Sequence, residues 1–137
     1  MAEISPLEMI QRNAELVIAT ARQQFSETLH YDQASVEWLD GYIERLRQQK
    51  YAEDDIDKLI NVFGSFLGEC VRHEYGGEWS DEQGNWIIRF DAKNAAFPFN
   101  KVLKQFKNGS KAGDSIASFY ANIPVQYADI LGKDDRP

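Results

Sequence analysis

Gly64-Ser65-Phe66-Leu67-Gly68-Glu69-Cys70-Val71-Arg72-His73-Glu74-Tyr75-Gly76-Gly77-Glu78-Trp79-Ser80-Asp81-Glu82-Gln83-Gly84-Asn85-Trp86 decides the fold, because its period changes in the middle. Before Gly76 the apolar residues recur at helical spacing. After Gly77 two tryptophans flank a turn signal, so a buried helix runs straight into a small antiparallel sheet.

Upstream, Glu53, Asp54, Asp55 and Asp57 open this helix, and Ile56, Leu59, Phe63, Phe66, Leu67 and Cys70 form its buried stripe. Acidic residues in a first turn complement the helix dipole, and the glycine and glutamate offsets of an EF-hand loop are missing. Gly76 is expected as a left-handed C-cap. Gly64 and Gly68 lie four apart on one face, where each costs about 1 kcal/mol relative to alanine, so another backbone is expected to cross there. Downstream, the spacing predicts strands over 78–80 and 85–90, joined by the four-residue loop Asp81-Glu82-Gln83-Gly84. Trp86, Ile88 and Phe90 would face the helices, with a third extended segment at 95–97 ended by Pro98.

Further out, Ser5-Pro6-Leu7-Glu8 reads as a capping box with proline at the first helical position. Leu7, Ile10, Ala14, Val17, Ile18, Ala21, Phe25 and Leu29 carry that first helix to about residue 28. A second helix over 35–49 has Val36, Leu39, Ile43 and Leu46 inward. Beyond the sheet, Phe99, Val102, Leu103 and Phe106 form a helical stripe stopped by Asn108-Gly109. A last helix is capped by Asp114 and ended by Asn122-Ile123-Pro124. The expected fold is α+β: an N-terminal three-helix region, a small antiparallel sheet of two to three strands, then two C-terminal helices. Residues 1–127 form one domain and 128–137 a flexible tail.

The chain has 137 residues, 43% hydrophobic and 27% charged, enough to bury a core without staples. A single cysteine, Cys70, fits a reducing compartment. No signal-peptide pattern and no membrane-length apolar run appears, so the expected location is the cytoplasm. Residues 1–80 carry seven Lys/Arg against fifteen Asp/Glu, a balance of −8, whereas Arg89, Lys93, Lys101, Lys104, Lys107 and Lys111 face only Asp91 between 89 and 111. The acidic majority and the lack of a reading motif argue against nucleic acid as a partner.

The residue types of catalysis cluster once, at Glu69, Cys70, His73 and Glu74. Glu69 and His73 share a helical face at i and i+4 and could supply two metal ligands, and Cys70 with His73 could pair as thiol and base. A metal needs further ligands, and His30 lies on a distant segment. The simpler reading is a buried Cys70 beside an ordinary helix-face pair, with no metal and no cofactor. Trp79 and Trp86 could form a stacking platform, but aromatic residues in short strands more often supply core area. Lys101, Lys104 and Lys107 recur on one helical side, either as a solvated face or as a contact for an acidic partner. No P-loop, GxGxxG or GxSxG is present.

Val62-Phe63-Gly64-Ser65-Phe66-Leu67-Gly68-Glu69, Tyr75-Gly76-Gly77-Glu78-Trp79 and Ala96-Phe97-Pro98-Phe99 together resemble a group of small bacterial domains of unknown function. The likeness runs from Leu59 to Ile123. It implies a bacterial source and carries over no catalytic residue, and some such domains are similar to components found near secreted toxins, which suggests a neutralising role by analogy. The expectation is thus a non-enzymatic domain that binds another protein of basic character, with no membrane association and with a homo-oligomer compatible. The alternative is an enzyme or ligand-binding domain with a cleft around Glu69, His73 and Trp79.

Overall fold

Ser5 accepts a hydrogen bond from the Glu8 backbone N–H at 3.1 Å and Pro6 takes the first helical position, so α1 (Pro6–Phe25) starts where the capping residues place it. The computed structural model describes residues 3–127, and the tail expected at 128–137 lies outside them. α1 ends about three residues earlier than its apolar spacing suggests. Ser26 turns left-handed with φ 54°, and the N–H groups of Ser26 and Glu27 return to the carbonyls of Arg22 and Ala21. Ile10, Ala14, Val17 and Ala21 are buried, whereas Leu7 and Phe25, expected inward, stay 39% and 38% exposed.

Asp32 caps α2 (Gln33–Arg47) by accepting from Ser35 N–H at 2.9 Å, which starts it two residues before the expected position. Val36, Leu39, Ile43 and Leu46 face inward, as their spacing predicts. α3 (Glu53–Tyr75) is the central element: every residue from Phe63 to Val71 is buried. A helix buried on all sides needs neighbours on all sides. α1 packs along it, α4 (Pro98–Asn108) packs against it, and β2 (Asn85–Arg89) and α5 (Ile116–Gln126) also touch it. The crossing expected at Gly64 and Gly68 is made by side chains rather than by another backbone. The Phe99 ring occupies the space beside Gly64, and the Trp79 ring that beside Gly68. Gly76 also departs from expectation, with φ 90° but ψ −159°, because the chain leaves the helix directly into an extended strand.

β1 (Glu78–Glu82), β2 and β3 (Ala95–Ala96) form an antiparallel sheet in that order. The β1–β2 loop has two residues, not four. Gln83 and Gly84 both adopt positive φ, 59° and 86°, the type I′ geometry whose twist matches the flanking strands. Asp81 and Glu82 therefore extend β1, opposite Trp86 and Asn85. β2 buries both Ile87 and Ile88, so its two faces are covered, and Trp86 is only half-buried. Trp79, itself half-buried, packs against the core where Trp86 was expected.

α5 is capped by Ser115, whose Oγ accepts from Ser118 N–H at 3.1 Å; Asp114 instead accepts from the Asn108 amide at 2.9 Å. Pro124 lies inside α5, which continues to Gln126. The architecture is α+β: three N-terminal helices, a three-stranded antiparallel sheet and two C-terminal helices.

Candidate functional site

Trp79 and Glu69 meet at the junction of α3 and β1. Glu69, 5% exposed, accepts at one carboxylate oxygen from the Trp79 indole N–H at 2.9 Å and from Arg72 Nη1 at 2.8 Å. These bonds explain how an acidic side chain is tolerated at this depth. His73, one turn on, is exposed and stacks on Tyr31 with centroids 4.5 Å apart. Burial, reinforced by the charges of Glu69 and Glu15, pushes the Tyr31 phenol up to about 12. Glu69 and Trp79 are thus brought together and His73 is turned to a different neighbour. None of the three lines any of the three cavities described below.

Cys70 is fully buried, and burial drives its thiol well above the ordinary range, which suppresses the thiolate that a nucleophile requires. Among the described residues no group of three or more His, Cys, Asp or Glu side chains is placed to hold a metal ion. No helix among them is long and apolar enough to cross a membrane.

Lys101, Lys104 and Lys107 all lie on α4 but differ in their surroundings. Lys101 places its ammonium 5.3 Å from the centre of the Phe119 ring. Lys101 and Lys104 line a cavity of about 330 Å³ together with Asp114, whereas Lys107 lies outside it.

Gln105, which the helical spacing did not mark, is fully buried on α4. Its Nε2 donates to the Asp40 carbonyl at 3.2 Å and to Glu44 at 2.9 Å, and its Oε1 accepts from Ile116 N–H at 2.8 Å. Asp40 also accepts from Ala117 N–H at 3.0 Å and from the Ser115 hydroxyl. Glu44 further accepts from Ser110 N–H and Arg47, at 3.2 and 3.1 Å. Burial alone would raise its carboxyl, but the bonds from Gln105, Ser110 and Arg47 outweigh burial and hold it below the ordinary range. The network joins α2, α4 and α5.

Two larger cavities remain. A groove of about 410 Å³ runs between α1, α2 and the start of α3, and its walls are mostly apolar. Leu16 on its rim is 52% exposed, Phe25 38% and Tyr51 36%. Phe25 sets its ring edge-on to Trp38 and Tyr42, at 5.5 and 5.2 Å between centroids, and the Arg45 guanidinium covers Phe25 and Tyr42. Asp55 and Lys58 mark the α3 side. The sequence signal for this groove was Leu16, a large apolar residue off the inward stripe of α1. A separate cleft of about 630 Å³ opens between the start of α1, α3, β2 and the start of α4, and among the described residues no charged side chain lines it. Comparisons with protein-family models, with curated proteins and with solved structures found no match to the chain.

Proposed function

We propose that the chain acts by binding another protein, without catalysing a reaction, and that the α1–α2–α3 groove is the contact surface. The observation that supports this most directly is the exposure of Leu16, Phe25 and Tyr51 around one apolar groove. Large apolar side chains gathered in one place mark interaction surfaces, whereas scattered ones do not. The groove is walled by helices and opens beside the first turn of α3, with Glu53, Asp54 and Asp55. An amphipathic partner helix would lay apolar anchors at i, i+4 and i+7 between Leu16 and Tyr51, with basic residues toward that turn. The −8 balance over residues 1–80 would speed association with such a partner. Neutralisation of a basic toxin in a bacterial cytoplasm is the role this reading favours.

The test is titration with a labelled basic amphipathic helix, apolar at i, i+4 and i+7 and lysine-rich opposite, followed by fluorescence anisotropy. Binding with Kd of about 1–10 μM, weakened by salt, is expected. Leu16→Asp should lose about tenfold in affinity with an unchanged melting temperature. No binding, or equal binding by Leu16→Asp, overturns the proposal.

A further inference from the structure

The seven asparagines of the chain divide into two sets. Asn94 donates to Asp91 at 3.0 Å, Asn108 to Asp114 at 2.9 Å and Asn122 to the Ser118 carbonyl at 2.9 Å. The other four, Asn13, Asn61, Asn85 and Asn100, have no hydrogen bond from their side-chain amides to the rest of the described chain, and all four line the 630 Å³ cleft. They come from α1, α3, β2 and α4, so the fold gathers them from positions as far apart as 13 and 100.

Each amide offers one acceptor oxygen and two N–H donors without formal charge. Between them the cleft presents Trp86, Ile87, Phe97 and Phe99 as apolar wall, Phe97 being 48% exposed. A wall of rings with a few convergent polar groups is the usual make-up of a small-molecule site, and the volume falls within the usual range. That no charged residue lines it among the described residues disfavours phosphates, carboxylates and zwitterions, since a charge taken from water needs a partner. We propose that this cleft binds a neutral saccharide. Paired hydroxyls match the donor and acceptor of an amide, and the C–H face of a sugar ring matches Trp86 and Phe97. The site is separate from the α1–α2–α3 groove and does not depend on it.

An uncharged peptide is the competing occupant, because β3 pairs only with Ile88 and Arg89 and leaves the same edge of 85–87 unpaired by β3. Three residues make a short edge compared with a typical strand, and Asn13 and Asn61 lie on the helices, off that edge.

The test is an amide NMR spectrum of the ¹⁵N-labelled chain, titrated separately with cellobiose, maltose, N,N′-diacetylchitobiose, glucose 6-phosphate and an acetylated uncharged tetrapeptide, each to about 20 mM, a range that captures weak sites. At least one neutral disaccharide is expected to shift the side-chain amides of Asn13, Asn61, Asn85 and Asn100 and the Trp86 indole, leaving Asn94, Asn108 and Asn122 in place. Asn61→Ala and Asn100→Ala should each weaken that binding by about fivefold at unchanged melting temperature, since these amides make no internal bond to lose. Silence with all three disaccharides overturns the proposal. So does an equal response to glucose 6-phosphate, or a response to the peptide alone.

Discussion

The Trp79 indole donates to the Glu69 carboxylate at 2.9 Å while its ring lies across Gly68, so one side chain both satisfies a buried acid and fills the gap left by a missing Cβ. A Cβ at Gly68 would overlap that ring and stand 3.2 Å from Pro98 Cγ. Gly68→Ala should therefore destabilise the chain by about 1–3 kcal/mol, even though alanine favours a helix by about 1 kcal/mol. Urea denaturation measures it, and a variant more stable than the parent would refute the close packing. Trp79→Ala with Gly68→Ala should be less than additive, because the two residues share one contact.

Gln105→Leu keeps the volume near that of the native side chain but strips partners from Ile116 N–H, the Asp40 carbonyl and Glu44. Leaving such groups unpaired in the interior costs about 1–3 kcal/mol each, so a total loss of about 2–5 kcal/mol is expected after partial relaxation. Hydrogen exchange should show earlier opening at Ile116 and Ala117, where α5 begins. Unchanged protection there would mean that the network does not anchor that helix.

Glu44 sets an acid dependence. Its carboxyl is held below the ordinary range in the fold, so the unfolded chain takes up its proton first as the pH falls. The stability it contributes is present above the ordinary carboxylate value of about 4.3 and is lost as the pH drops through its lower folded value. Chemical denaturation between about pH 6 and pH 3 should show a smaller decline for Glu44→Gln than for the parent chain. Parallel declines would assign the acid sensitivity to other carboxyls.

Zinc tests the pairing of Glu69 with His73. With Glu69 engaged by Arg72 and Trp79, and His73 stacked on Tyr31, the two do not form a ready ligand set. Micromolar Zn²⁺ is expected to leave the melting temperature unchanged, where a ligand specific for the folded state would raise it. A rise seen in the parent chain and absent in His73→Ala would restore the metal reading.

Local chemistry was legible in the sequence wherever a short segment determines its own conformation. The cap at Ser5, the acidic first turn of α3, the inward stripe of α2 and the switch from helix to hairpin after Gly76 all depend on neighbours within a few residues. The α+β order follows from them. What depends on distant residues had to come from the tertiary structure. Spacing alone marks Gly64 and Gly68 as a place of close approach, yet that Phe99 and Trp79 fill it is decided by residues up to 35 positions away. Asp114 looks as good a cap as Ser115 until the bonds to Asn108 and Asp40 are formed. Glu69 and His73 share a helical face in projection, but in the fold Glu69 is bonded to Trp79 and His73 is stacked on Tyr31, partners that spacing along α3 does not reveal. The four unpaired asparagines carry no mark in the sequence that separates them from Asn94, Asn108 and Asn122. Only folding brings them to one cleft, since an amide is left free or bonded by what the rest of the chain places beside it.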